Sequence, residues 1–132
     1  MIDIDHFKLL NDSFGHHAGD TALREVARVL ADSVRDGDTI CRYGGEEFVA
    51  VVAQVNSQSL LDCAERIRTA IGAGAFRIQD DVVFEGTISI GCALDTDSFT
   101  SPDELLRAAD AALYSSKNLG RNRTTIWSRP CA

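Results

Sequence analysis

The segment from residue 39 to residue 52 constrains the fold more than any other, because a short polar turn separates two apolar, β-branched runs. The runs 39–43 and 48–52 predict antiparallel strands joined at a hairpin tip by Gly44, Gly45, Glu46 and Glu47. Glycine suits a tip with positive φ, whereas adjacent carboxylates repel each other unless a cation or solvent compensates them. The tip is therefore interpreted as a cation or phosphate site, and a plain solvated turn is the alternative.

The composition indicates one globular domain that does not bind a nucleic-acid polymer. The 132 residues are 45% hydrophobic and 25% charged, with a net charge of −7. Proteins that bind nucleic acid usually present a basic face, but one nucleotide needs only a local metal and a few basic residues. No apolar run approaches eighteen residues, and the four cysteines form no CxxC pair. We expect a cytoplasmic domain, which a longer protein could tether to a membrane.

Hydrophobic periodicity along the chain predicts the order β-α-α-β-β-α-(ββ)-β-α-β. Asp5 is expected to cap the first helix, and Gly19 with Asp20 to open the second. The strand at 87–94 and Tyr114 are expected in the core, and the glycines of that strand suggest close approach of another backbone. This order favours an antiparallel or mixed sheet that carries helices. The domain is expected to span 1–127, and 128–132 to form a disordered tail.

Several motifs together resemble one family. They are Asp3-Ile4-Asp5-His6-Phe7-Lys8, Asn11-Asp12, Gly15-His16, Gly19-Asp20, Arg42-Tyr43-Gly44-Gly45-Glu46-Glu47-Phe48, Thr87-Ile88-Ser89-Ile90-Gly91, and 107–114 with Lys117, Gly120, Arg121 and Asn122. This set, with its spacing, resembles the GGDEF family, the diguanylate cyclases. The resemblance implies an α+β fold, nucleotidyl-cyclase or palm-like, with a mostly antiparallel sheet of about five strands flanked by helices around a ferredoxin-like βαββαβ core. It also implies that two GTP condense to cyclic di-GMP and two pyrophosphates within a homodimer.

The resemblance implies a metal site formed by Asp3, the backbone carbonyl of Ile4, and Glu46. Hard oxygen ligands of this kind suit Mg²⁺ or Mn²⁺, and two ions per active site are implied. The catalytic residues would be Asp3, Glu46 and Glu47, where Glu47 would bind metal or activate the attacking 3′-hydroxyl. The alternatives are an exposed acid at a strand end for Asp3, a solvated turn for Glu46, and a purely electrostatic role for Glu47.

GTP would be held at its base and at its phosphates. The resemblance assigns guanine to Asn11 and Asp20, since a carboxylate can accept from the adjacent N1–H and N2–H₂ donors that adenine lacks. The alternative for Asp20 is an N-cap of the following helix. The remaining GTP-binding residues, by resemblance, are Phe7 with neighbouring backbone N–H groups, Lys8, Lys117 and Arg121 for the phosphates, and Gly44 and Gly45 for close approach of the nucleotide. For Lys117 and Arg121 the alternative is a cationic helix C-terminus.

Arg35 and Asp38 form an RxxD motif upstream of the hairpin, as in family members that are inhibited by their own product. Arginine can meet guanine O6 and N7 with two donors, and aspartate can accept from the Watson–Crick edge. Arg66 resembles the position that reaches a product molecule from a neighbouring domain. The alternative is a helix C-terminus with ordinary surface charges.

Family members normally carry a helix and most of the first strand ahead of the position of Asp3, and these are absent from the sequence given. We therefore expect a longer protein with an upstream sensory or receiver domain, and reduced activity of the shorter chain. Two alternative functions stay open. One is an inactive signalling module that binds GTP or cyclic di-GMP, and the other is a different nucleotidyl cyclase.

Overall fold

The computed structural model describes residues 1–95 and 99–128. The predicted order of elements is confirmed. The elements are β1 (Ile2–Ile4), α1 (Phe7–Phe14), α2 (His16–Ser33), β2 (Thr39–Gly44), β3 (Glu47–Val51), α3 (Ser57–Gly72), β4 (Phe76–Gln79), β5 (Val82–Phe84), β6 (Ile88–Cys92), α4 (Pro102–Asn118) and β7 (Thr124–Ile126).

One five-stranded sheet has the order β2-β3-β1-β6-β7. Its strands pair antiparallel except for β6 and β7, which are parallel. The order β2-β3-β1-β6, with helices between β1 and β2 and between β3 and β6, is the ferredoxin-like βαββαβ core that was expected. The short hairpin of β4 and β5 forms a separate two-stranded sheet.

Strand alternation separates a hydrophobic face of the sheet from a face that carries the polar residues. Ile2 and Ile4 of β1 belong to the main core, which α2 and α3 cover. Asp3 between them points to the opposite face, against which α4 packs. There, a Cβ added to Gly91 would lie 2.1 Å from the Ala109 carbonyl oxygen and 2.1 Å from the Leu113 nitrogen. The expected close approach of another backbone to this strand is confirmed, and it brings α4 next to β1.

The helix boundaries differ from the prediction at α2. This helix begins at His16 because Gly15, with φ 84° and ψ 165°, breaks the chain between α1 and α2. Asp20 therefore lies inside the helix, so the alternative that it is an N-cap is wrong. The helix ends at Ser33, which leaves Arg35 in the following loop. At the start of α4, the Ser101 hydroxyl caps the helix by accepting a hydrogen bond from the Glu104 N–H.

Two further expectations are wrong. Asp5 does not cap α1; the cap position is His6, in a left-handed conformation and without a side-chain hydrogen bond. Tyr114 is 67% exposed, because α4 packs on the sheet through Ala109, Ala112 and Leu113 rather than through that side. Residues 129–132 of the predicted tail lie outside the described residues. Within the described ranges, the helices are too short or too polar to cross a membrane.

Candidate functional site

Asp3 lies at the centre of the candidate site. In the sheet it stands opposite Glu47 of β3 and opposite Ser89 of β6. The next N–H along β1, that of Ile4, donates to the Glu46 carbonyl oxygen at 3.3 Å. The two acids of the hairpin therefore flank the end of β1. The Asp3 side chain is 8% exposed.

Burial raises the pKa of the Asp3 carboxyl above its ordinary value. The Lys117 ammonium, whose Nζ donates to Asp3 Oδ2 at 2.7 Å, opposes this rise. The negative charges of Glu46 and Glu47 raise the pKa of Asp3 further. One lysine thus compensates a buried carboxylate that has two acidic neighbours, and the site retains an excess of negative charge that a cation would stabilise.

The hairpin tip leaves space beside these acids. Gly44 pairs with Glu47, so Gly45 and Glu46 form the turn, and β3 begins one residue earlier than predicted. Gly45 has φ +52°, which favours glycine, and Arg42 Nε donates to its carbonyl oxygen at 2.8 Å. A Cβ on either glycine would meet no protein atom within 4 Å. The space therefore admits another molecule next to the backbone.

The two predicted guanine contacts lie on neighbouring helices. The Asn11 side-chain oxygen, on α1, is buried and has no hydrogen-bond partner among the described residues. It packs against Gly19 of α2, where an added Cβ would lie 1.9 Å from Asn11 Oδ1. Asp20 is exposed and lines a groove of about 720 Å³ with Arg42 and Phe48. The sequence reasoning missed the role of Gly19, because it placed this glycine at the start of the helix rather than inside α2.

The predicted phosphate-binding residues occupy two helix ends. Phe7 is buried at the start of α1, where no side chain caps the helix, and Lys8 beside it is exposed. Uncapped N–H groups at a helix start can bind an anion. Lys117 lies in the last turn of α4 and reaches Asp3, while Arg121 is exposed in the loop that follows. The structure thus links Lys117 directly to the acidic site.

Asp5 accepts three hydrogen bonds that sequence reasoning did not anticipate. The hydroxyls of Thr87 and Ser89 each donate to it at 2.7 Å, and the Asn122 N–H donates at 3.0 Å. This carboxylate is buried. It joins the end of β1 to the start of β6 and to the loop after α4.

The predicted inhibitory residues form a second cluster. The buried Asp38 carboxylate accepts from the Arg35 N–H at 3.3 Å and from the Ala53 N–H at 3.1 Å, and Arg35 Nε lies 3.5 Å away. Burial raises the pKa of Asp38, but these hydrogen bonds and the arginine charge outweigh it and hold the pKa below its ordinary value. Arg35 also donates to the Ala53 carbonyl oxygen, and Arg66 donates to the Ser33 carbonyl oxygen at 2.9 Å. The three residues thus gather around the end of α2.

No group of three or more His, Cys, Asp or Glu side chains within 1–95 and 99–128 is arranged as a ready metal site. The predicted ligand set is smaller, with two carboxylates and one backbone carbonyl.

The sheet order and the helices packed on it define a palm-like, nucleotidyl-cyclase fold.

Comparisons with known proteins identify the family. The family model described as "Diguanylate cyclase, GGDEF domain" matches residues 1–123. Diguanylate cyclase A of Treponema denticola is 41% identical over 126 residues, which are 96% of this chain and 34% of that protein. The chain belongs to the GGDEF domain family. It spans about a third or less of the curated relatives it matches.

Solved structures agree with this assignment. The GGDEF domain of YfiN, or TpbB, from Pseudomonas aeruginosa matches with a TM-score of 0.92 at 32% identity, over 97% of this chain and 80% of that one. The GGDEF domain of DgcB from Caulobacter crescentus, solved in complex with c-di-GMP, matches with a TM-score of 0.88 at 35% identity, over 95% and 74% of the two chains. The predicted fold class is confirmed.

Proposed function

We propose that this chain is a diguanylate cyclase domain, in which each copy binds one GTP and two copies together make cyclic di-GMP. The observation that carries the proposal is the buried Asp3 carboxylate, which stands opposite Glu47, next to Glu46, and within reach of Lys117. Such a site combines ligands for a cation with a basic residue for phosphate. The family membership supports the same activity.

Asp3, the carbonyl of Ile4 and Glu46 would hold Mg²⁺ or Mn²⁺, with two ions per active site. The residues fit such an ion because all donors are hard oxygens and because Asp3 is a buried carboxylate with two acidic neighbours and one ammonium partner. The bound metal would neutralise phosphate charge and lower the pKa of the attacking hydroxyl. Glu47 would bind metal or take the proton from that hydroxyl.

Asn11 and Asp20 would recognise guanine. The buried, unpaired oxygen of Asn11 supports this, since an unsatisfied acceptor is costly unless a ligand completes it. Asp20, freed from any capping role, has its carboxylate exposed on the same side of α2 as an open groove. Gly44 and Gly45 would let the nucleotide approach the hairpin.

The N–H groups at Phe7, together with Lys8, Lys117 and Arg121, would bind the triphosphate. Uncapped N–H groups and exposed cations support this assignment. Lys117 pairs with Asp3 in this structure, so phosphate binding would move its ammonium from the carboxylate to a phosphate oxygen.

The reaction requires two chains. The 3′-hydroxyl of each GTP attacks the α-phosphorus of the other, so that two P–O bonds form, two bonds to pyrophosphate break, and two protons leave. The described residues of one chain offer one proposed guanine-binding pair and one proposed set of phosphate ligands, which supports catalysis by a homodimer. We also propose that an upstream sensory or receiver domain controls this activity. The cyclase domain itself would extend over residues 1–127.

Arg35, Asp38 and Arg66 would bind the cyclic di-GMP product and inhibit synthesis. Their convergence at the end of α2 supports this. The Arg35 guanidinium donates to the Ala53 carbonyl oxygen and pairs with Asp38, so a bound guanine would accept from some of these donors instead. Asp38 also anchors the chain just after β3, which connects the cluster to the hairpin.

The direct test is to incubate the chain with GTP and Mg²⁺ and to separate the nucleotides by chromatography. We expect cyclic di-GMP from the wild type and none from Glu46→Ala. Glu25→Ala is the matched control, because this glutamate pairs with Arg28 on the surface of α2. The rate per chain should rise with chain concentration, since two copies must meet.

Other outcomes would favour the alternative functions. GTP that is bound but never converted would support a signalling module and would contradict the proposed activity. A different cyclic product would support another nucleotidyl cyclase. A rate per chain that is independent of concentration in a monomeric sample would contradict the homodimer.

A further inference from the structure

Three consecutive residues after α4 adopt left-handed conformations. Gly120, Arg121 and Asn122 have φ of 113°, 63° and 44°. Left-handed backbone is easy for glycine and unfavourable for other residues, and a run of such residues persists only when the surroundings hold it. Arg121, which the proposed function assigns to the phosphates, stands in the middle of this run.

The surroundings of Asn122 are well defined. Its N–H donates to the buried Asp5 carboxylate at 3.0 Å, and its side-chain oxygen accepts from Arg68 of α3 at 2.7 Å. Arg68 in turn makes bidentate hydrogen bonds of 2.9–3.1 Å with Glu65. Asn122 is therefore held from two directions by charged groups far away in the chain.

The residues on both sides of Asn122 are fixed through their backbones. The Arg121 N–H donates to the Ser116 carbonyl oxygen at 3.0 Å, and the Arg123 carbonyl oxygen accepts from the Ile90 N–H at 2.9 Å. The guanidinium of Arg121, in contrast, makes no ion pair with any residue that the structure describes. The backbone of the loop is thus held by hydrogen bonds, while the Arg121 guanidinium has no ion pair among the described residues.

We propose that Asn122 is a positioning residue, which Asp5 and Arg68 hold so that Arg121 stays in place to bind the GTP triphosphate. The inference rests on the proposed function. It gives Asn122, Asp5 and Arg68 a part in that function, although none of them belongs to the set predicted to contact metal or nucleotide. A side chain with an acceptor that also tolerates left-handed backbone is needed at this position. Asparagine and aspartate meet both requirements, glycine meets only the second, and alanine meets neither.

The test compares binding of 3′-deoxy-GTP, which lacks the attacking hydroxyl, with binding of guanosine, which lacks the phosphates. Calorimetry in Mg²⁺ measures the former and NMR titration the latter. We expect Asn122→Ala to weaken 3′-deoxy-GTP binding about tenfold and to leave guanosine binding unchanged. Asn122→Gly should lose less affinity for 3′-deoxy-GTP than Asn122→Ala does, and Asn122→Asp should bind it about as tightly as the wild type. Asn118→Ala, at the exposed end of α4, is the matched control.

The split between the two ligands separates positioning from a general loss of structure. If both ligands weaken together in folded Asn122→Ala, or if neither weakens, the inference is wrong. Should Asn122→Ala not fold, the same comparison is made with Asn122→Gly and with Arg68→Ala, which removes the donor to the Asn122 side chain. A wild-type chain that does not bind 3′-deoxy-GTP refutes the proposed function and this inference with it. Wild-type binding alongside unaffected variants refutes the inference alone.

Discussion

Substituting Gly19 by alanine should weaken guanine binding while leaving the stability of the fold nearly unchanged. Gly19 lies inside α2, and its missing side chain makes room for Asn11 of α1. An alanine Cβ would lie 1.9 Å from Asn11 Oδ1, 2.9 Å from Asn11 Cγ and 3.1 Å from Phe7 Cζ. Because the nearest atoms are at the end of a flexible side chain, Asn11 should rotate away while the helices keep their packing.

The opposing contributions to stability are of similar size. Alanine improves on glycine in a helix interior by about 1 kcal/mol. Displacing Asn11 by about 1 Å and moving the Phe7 ring by a few tenths of an ångström offset this gain. We therefore expect the free energy of unfolding to change by less than about 1 kcal/mol. Loss of the Asn11 contact to guanine should cost about 1–3 kcal/mol in binding, or about 5- to 150-fold in affinity.

The measurements are thermal unfolding and calorimetric titration with 3′-deoxy-GTP and 3′-deoxy-ATP. Gly19→Ala should melt near the wild type and lose part of its preference for the guanine nucleotide, while Asp20 retains the rest. Gly72→Ala is the matched control, because this helical glycine has no heavy atom within 4 Å of an added Cβ. Retention of full guanine preference would refute the role of Asn11, and a large drop in melting temperature would refute the claim that its side chain gives way.

Two further predictions concern the basic residues. Arg35→Ala should weaken inhibition by cyclic di-GMP by about tenfold or more, since a bidentate arginine contact to guanine contributes about 1–3 kcal/mol. The initial rate should stay unchanged. Inhibition equal to that of the wild type would count against the second site. Lys117→Met should tighten Mn²⁺ binding to the nucleotide-free chain by about fivefold, because the lysine ammonium no longer pairs with the Asp3 carboxylate. EPR measures this binding. Weaker or equal Mn²⁺ binding would contradict competition between the ammonium and the metal.

The parts of the fold that were predictable depend on local patterns. The hairpin at 39–52 was visible because apolar, β-branched runs flank a glycine-rich turn, and the structure differs from the prediction by a single residue on each side of the tip. Gly91 in a strand indicated a close neighbour, which proved to be the backbone of α4. Periodicity of 2 or 3.6 residues is set by the chain itself, so such elements can be predicted from the sequence.

The errors arise where a residue has more than one possible partner. Asp5 precedes a helix, as a capping residue would, yet its partners are Thr87, Ser89 and Asn122, which lie 82 to 117 residues away. Tyr114 has helical spacing compatible with the core, but the face of α4 that packs depends on where β6 lies. Such pairings are decided by tertiary structure, which no local pattern contains.

Asp3 and Lys117 connect the fold to the proposed chemistry. A carboxylate that is 8% exposed beside two other acids is unfavourable, and α4 relieves this by bringing one ammonium to 2.7 Å. The same α4 approach requires Gly91, and the segment that follows α4 carries Arg121 and Asn122. The packing of one helix on β6 therefore determines the charge balance at Asp3 and the position of the cations proposed for the triphosphate. Since a cation and a triphosphate together can replace the Lys117–Asp3 pair, the arrangement favours binding them jointly over binding the metal alone.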